Sequence, residues 1–370
     1  MQLISRPFPI RALTILLLVS ALRCPSQASD LEQTVDAIAN EAVAKKSAIG
    51  LSVGVARGDA VLLAKGYGLA NVELSVPASD RTVYRIGSIS KQFTASAILL
   101  LVEDGKVALD DELTRFLPEF PTQGHTVTVR HLLQHTCGIK SFTGLPSYRK
   151  EMQLDLSHQQ MLAKFQDEPF DFAPGEKFRY CNSAYYLLGM IVENASGKTY
   201  QQFCEQRLFR KLGMTSSYYD RQTAIIPHRA GGYSSWGGPT RNAAYLNMKQ
   251  PFAAGALAST VGDLITWQRG LAAHRLLTSS SHAAMTQQGT LNDGKPISYG
   301  LGVFVRSSNG QPVIRHGGGI NGFRSDLAYY PNQDVTIVVL ANSETTNPAK
   351  ISDQIARGLL EGAREEGKLP

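Results

Sequence analysis

No repeat period and no low-complexity tract occurs in this chain of 370 residues, and its apolar runs are short. Those absences exclude solenoids and fibrous arrays and argue against a membrane-spanning helix. Cysteine is scarce, at four residues. Cys24 falls in the N-terminal leader described below, and Cys137, Cys181 and Cys204 are an odd remainder, so a disulfide framework does not organise the fold. No basic run interleaved with aromatics is present, so nucleic acid is not an expected partner. What is there is 43% apolar and 18% charged, the balance of a globular rather than a disordered protein. The length accommodates one large domain or two ordinary ones.

Arg6 and Arg11 precede an apolar run over residues 12–22, and Ser26-Gln27-Ala28 then offers small residues. This pattern predicts a secretory signal peptide over residues 1–28, cleaved after Ala28, and a secreted or periplasmic product. Arg23 stands where a lipoprotein signal needs a small residue before Cys24, so no stable membrane anchor is expected after cleavage. Cleavage removes Arg6, Arg11 and Arg23 and no acid, which lowers the formal charge from +6 to +3.

Hydrophobic spacing predicts a helix over 31–46 and a strand hairpin from 50–56 and 60–67 around Arg57-Gly58-Asp59. A buried helix follows, with Phe93, Ala97, Leu100 and Leu101 on one face and Gly105 as its stop. Short helices are expected at 129–135, 159–165, 183–194 and 200–211, and a capped one at 259–271. Lys177 to Tyr180 reads as a short strand after the Pro174-Gly175 turn. Strands return at 299–306, 312–315, 323–330 and 335–341, with Gly317-Gly318-Gly319 as one of the turns, and a helix closes the chain at 349–362. The expectation is an α/β chain of the α+β kind. One antiparallel sheet would form from the N- and C-terminal segments (about 29–86 and 255–370), flanked by helices, with a mostly helical region (about 87–254) inserted in a single domain spanning 29–370.

Ser88 and Lys91 fall three residues apart at the start of the buried helix, where both side chains can share a face. One reading is a capping serine with a solvated lysine. The other is a nucleophile whose neighbouring amine, its pKa lowered by burial, removes the hydroxyl proton. The same Ser-x-x-Lys pattern recurs at Ser147 to Lys150, in a polar loop with no rigid element to hold it. Tyr-x-Asn occurs at Tyr180, Tyr245 and Tyr330. The last is a hairpin turn and the second lacks a pattern, whereas Tyr180-Cys181-Asn182 sits at the junction with an apolar helix. His316-Gly317-Gly318-Gly319 carries more glycine than a turn needs, which suits backbone N–H groups that approach a ligand. Gly50-Leu51-Ser52-Val53-Gly54 matches a nucleophile elbow in letters, but strand-like sequence continues through its serine. His131 and His135 have helical metal-ligand spacing without a zincin glutamate or a third ligand, and read as a structural pair.

Taken in order, Ser88-x-x-Lys91, Tyr180-x-Asn182 and His316-x-Gly318 resemble the three active-site elements of the serine β-lactamase and penicillin-binding protein superfamily. The resemblance is to the branch with class C β-lactamases, DD-peptidases, D-aminopeptidases and esterases. It extends through segments 131–139, 178–189 and 317–325 and covers roughly residues 31–362. It implies a β-lactamase/transpeptidase-like fold and a hydrolase that works through an acyl-enzyme on small esters, β-lactams or D-amino-acid-containing peptides, with no metal or organic cofactor. By the same resemblance Ser88 would be acylated, Lys91 and Tyr180 would share the proton transfers, and Asn182, His316 and Gly318 would contact substrate. The oxyanion would rest on the N–H groups of Ser88 and Gly319. Which of Lys91 and Tyr180 is the base stays open. Most β-lactamases carry lysine where this chain has His316, so strong β-lactam hydrolysis is not expected, and Cys137 stands where a serine is more usual. A binding or sensing protein on the same fold is the alternative from another class.

Overall fold

Small and branched apolar residues alternate through Gly50–Arg57, which suits a strand covered on both faces. In the computed structural model, which describes residues 25–235 and 238–365, this stretch is β1 (Gly50–Arg57), in a hairpin with β2 (Ala60–Asn71). β2 also pairs with the short β3 (Val76–Pro77). The last third of the chain supplies β4 (Phe304–Ser308), β5 (Gln311–Ile320), β6 (Phe323–Tyr330) and β7 (Val335–Ala341). The sheet order is β3-β2-β1-β7-β6-β5-β4, antiparallel throughout. β1 lies on β7 from Leu51↔Ala341 to Arg57↔Val335, so the two ends of the chain close the sheet together.

Period-two alternation divides the core. Leu51, Val53, Ile337 and Val339 face α1 (Pro25–Ala44) and α5 (Pro348–Glu365), packing with Leu31, Val35, Ile351 and Ile355. Val338 and Leu340 turn the other way, into the larger core with α2 (Ser90–Glu103), α3 (Asn182–Ser196) and α4 (Val261–Ala272). α2 is not one-sided as its spacing suggests. Every residue from Ser90 to Leu101 is buried, polar ones included. Polar side chains there are bonded: Ser90 Oγ accepts the Leu257 amide at 3.1 Å, Gln92 Oε1 accepts the Trp267 indole N–H at 3.0 Å, and Thr94 Oγ1 donates to Ala253 O at 2.6 Å. Those bonds make burial of a polar helix face tolerable.

Several local expectations need correction. Gly317, Gly318 and Gly319 are not a turn but lie inside β5, and the reversal falls at Asn321-Gly322, where Gly322 adopts φ of +81°. Residues 177–180 form no strand, because the amide of Arg179 goes to the His135 carbonyl instead of a neighbouring strand. The strand expected from residue 299 begins only at Phe304, since Gly302 (φ +78°) turns the backbone under α2. Ser147 precedes a single helical turn, Tyr148–Glu151, rather than lying in a loop. Ser52 of the false elbow is a buried strand residue bonded to Ser79 O and the Tyr84 hydroxyl. Cys137, Cys181 and Cys204 are free thiols. Of the expected signal peptide, residues 1–24 lie outside the described residues, and 25–28 open α1. Among the described residues no helix is long and apolar enough to cross a membrane.

Gly318 shows why the glycine run is there. A Cβ at this position would stand 2.0 Å from the Ile86 carbonyl oxygen and 2.2 Å from Ser325 Oγ. Absence of a side chain lets β5 lie against the turn that carries Ser88. Gly318→Ala must push the two backbones apart, and a loss of about 1–3 kcal/mol is expected from overpacking. Urea unfolding checks this: the midpoint falls, whereas a midpoint equal to the parent's would show that the contact is slack.

Candidate active site

Gly87, at φ of +51°, admits the chain into a 3-10 turn, Gly87–Ile89, that leads directly into α2. Ser88 therefore occupies the turn ahead of the α-helix, while Lys91 lies inside it. A Cβ on Gly87 would be 3.0 Å from the Gly319 nitrogen, so the Ser88 turn and the Gly319 end of β5 are in backbone contact. Ser88 and Gly319 both line a cavity of about 800 Å³, together with Asn182.

Lys91 is wholly buried, yet its Nζ has three oxygen neighbours: Ser88 Oγ at 3.2 Å, Asn182 Oδ1 at 2.8 Å and Ala254 O at 2.8 Å. No carboxylate pairs with it among the described residues. Burial disfavours the ammonium and lowers the pKa to about 7, a shift that Cys181 partly opposes. Two of the three neighbours are carbonyl oxygens, which only accept. A neutral amine has two N–H donors for them and one lone pair for the Ser88 hydroxyl proton.

Asn182 is held from both sides. Its Nδ2 donates to Thr143 Oγ1 at 3.0 Å and its backbone N–H to Ser141 Oγ at 3.1 Å, which fixes Oδ1 toward Lys91. It is the first residue of α3, capped by the Cys181 sulfur, which accepts the Ala184 N–H. The Tyr180 ring lies 4.8 Å from Lys91 Nζ. Tyr180 is half-buried as a residue, but its hydroxyl oxygen is buried and has no hydrogen-bond partner among the described residues. Burial holds the phenol in its protonated form, against the opposing influence of the neighbouring Ser88 hydroxyl.

His316 stands apart from this set. Its Nδ1 lies 2.7 Å from Gly317 O and its Nε2 3.0 Å from the Tyr299 hydroxyl. A carbonyl only accepts, so Nδ1 carries the proton and Nε2 accepts from Tyr299. Burial first, and then the Lys91 charge, depress the imidazole pKa to about 3. His316 is thus a buried neutral group, and neither it nor Gly318 lines the cavity.

The beta-lactamase family profile matches residues 35–361, most of the chain. The chain belongs to the beta-lactamase family. Among relatives of this family, penicillin-binding protein 4* of Bacillus subtilis (strain 168) is 29% identical over 321 residues, covering 82% of this chain and 70% of that protein. Protein flp of Staphylococcus aureus (strain MRSA252) is 28% identical over 336 residues, covering 88% of this chain and 66% of its own, so the chain spans about two thirds of the length of these relatives. The solved octameric penicillin-binding protein homologue from Pyrococcus abyssi superposes with a TM-score of 0.76 at 27% identity, over 92% of this chain and 78% of that one. That likeness agrees with the seven-stranded sheet and its inserted helices.

Ser88, Lys91 and Asn182 are thus joined directly, Tyr180 and Gly319 lie beside them, and His316 and Gly318 are buried outside the cavity lining. Of three groups around the set, Tyr299 and the Ala254 carbonyl carry no sequence signal, and His135 reads in the sequence only as half of a structural pair. Tyr299 holds His316, and the Ala254 carbonyl holds Lys91. His135 packs its ring 4.2 Å from Tyr180 and 4.8 Å from Tyr299, with Nδ1 accepting the Cys181 N–H at 3.1 Å. His131 Nδ1 accepts the Thr128 N–H within a helix cap, so the two histidines of the metal-like spacing serve different local bonds.

Proposed function

We propose that the chain is an exported serine hydrolase that acts through an acyl-enzyme on small esters or D-amino-acid-containing peptides, with β-lactams as slow substrates. The observation that carries this reading is the match between the three oxygens around Lys91 Nζ and the two donors and one lone pair of a neutral amine. Lys91 takes the Ser88 proton as Oγ attacks the carbonyl carbon of the substrate, and the carbonyl π electrons move onto oxygen. The N–H groups of Ser88 and Gly319 receive that oxyanion. Tyr180, kept protonated by burial, gives its proton to the leaving group as the C–N or C–O bond breaks, and recovers one from Lys91. Water repeats the sequence on the ester of Ser88 and releases the acid. Asn182 fixes Lys91 on one side and faces the cavity on the other, where it would accept or donate to an acyl-side amide.

The choice among substrates draws support from His316. A neutral, buried imidazole supplies no fixed cation for the carboxylate of a β-lactam. Turnover of p-nitrophenyl butyrate, nitrocefin and a D-alanyl-D-alanine peptide tests it: the ester or peptide is expected to be hydrolysed and nitrocefin only slowly. No turnover of any of the three would favour a binding protein. Tyr180→Phe removes the proton donor and is expected to lower kcat by about 10²-fold or more. A variant near the parent rate would take Tyr180 out of the mechanism. For export, N-terminal sequencing of the mature protein recovered outside the cytoplasm is expected to start at Ser29; an intact Met1 there would rule out the processed leader.

A further inference from the structure

The charged groups that line the cavity are mostly arginines. Arg149, Arg241 and Arg324 line it against a single acid among the described residues, Glu344, whose Oε1 already accepts the Gly322 N–H at 2.9 Å. Among these Arg324 is the one held against the reaction centre. It sits on β6 directly across from Gly319 of β5. A methyl on Gly319 would be only 3.2 Å from Arg324 Nη1. Nη1 is steadied by the carbonyls of Phe323 (3.0 Å) and Ile320 (3.5 Å), while Nε and Nη2 have no protein acceptor among the described residues. No carboxylate pairs with this guanidinium among them either. A half-buried arginine with its remaining donors free suits bidentate capture of a carboxylate.

Direction decides which part of a substrate meets it. The leaving group must lie near its proton donor, Tyr180, whose ring is 6.1 Å from that of His316. His316 is three residues before Gly319 on β5, which is about 10 Å along an extended strand. With the oxyanion on the Gly319 N–H and the leaving group at the His316 end, the acyl chain runs the opposite way, toward Ile320 and Arg324.

We infer that Arg324 forms an anion subsite for the acyl group, so that the preferred substrates are esters or amides of acyl groups bearing a second carboxylate, such as half-esters of short dicarboxylic acids. The inference deepens the proposed function and rests on it for the orientation of the substrate. Arg149 and Arg241 add to the positive field over the same cavity, and Arg324 supplies the geometry.

Monophenyl glutarate and phenyl pentanoate have the same acyl chain length and leaving group and differ by one carboxylate. The parent enzyme is expected to favour the glutarate at least tenfold in kcat/KM, as a charge-assisted pair implies. In Arg324→Met that ratio collapses toward one, and Arg324→Lys restores part of it. 3-Carboxyphenyl pentanoate, whose carboxylate is on the leaving group, shows no such dependence on Arg324. A parent that does not favour the glutarate, or an Arg324→Met variant that slows both phenyl esters equally, overturns the subsite. Calorimetric binding of monophenyl glutarate to Ser88→Ala, weakened tenfold in Ser88→Ala/Arg324→Met, supports the subsite even where the parent turns over neither ester, in which case the catalytic reading alone fails. Equal binding by those two variants overturns it.

Discussion

Ser88→Ala is expected to remove all covalent labelling. Intact-mass measurement of the parent protein after exposure to a fluorophosphonate or a β-lactam should give a single adduct, and the alanine variant none. Turnover of the best ester should fall by about 10⁴-fold or more, since loss of a nucleophile removes the acyl-enzyme path entirely. The fold should be untouched, because Ser88 Oγ bonds within the cavity wall and only Lys91 and Tyr180 lose a neighbour. Labelling that persists in the variant would move the nucleophile elsewhere, and a parent that resists several reagents would argue for a binding protein.

The second large effect concerns Lys91. Burial favours the uncharged amine, and with a pKa of about 7 Lys91, as the proposed base, is protonated and idle below neutrality and available above it. The kcat/KM of the parent should therefore rise with pH through about 7 and level off on the alkaline side. Lys91→Met fills the same apolar space without the lone pair and should cost about 10²–10⁴-fold. Tyr180 cannot replace it as the base in this range, because burial keeps the phenol protonated. An acid limb nearer the ordinary lysine pKa, or a variant with an unchanged pH profile, would remove Lys91 from the role of base.

Much of this arrangement was legible in the chain itself, for reasons of range. Ser88 and Lys91 are three residues apart, so local helical geometry brings them to one face and a short pattern finds them. The sheet from both termini was legible because alternation and turn residues survive in β1, β6 and β7 without reference to their partners. The glycine run misled, because sequence reads glycine as a turn, whereas Gly318 is needed for contact with Ile86, far away in the chain. Tyr299 and the Ala254 carbonyl were invisible for a related cause. Their parts in the site come from tertiary contacts, and a backbone carbonyl has no letter of its own. Lys91 in a helix buried on all sides, polar residues included, is the clearest cue that its amine is perturbed, yet spacing suggested burial on one face only.

The pairing of β1 with β7 has a consequence for synthesis. Leu51 waits for Ala341, so the N-terminal hairpin keeps an unpaired edge until nearly the whole chain has been made. At about 5–20 residues per second, that delay is of order fifteen seconds to a minute. During it the apolar β1 edge is open to pairing with other chains, and the Ser88 turn lacks the β5 backbone that later faces it. The candidate active site is therefore completed last, after the C-terminal strands are delivered. Loss of even the final strand should leave a chain that aggregates rather than a weakened enzyme.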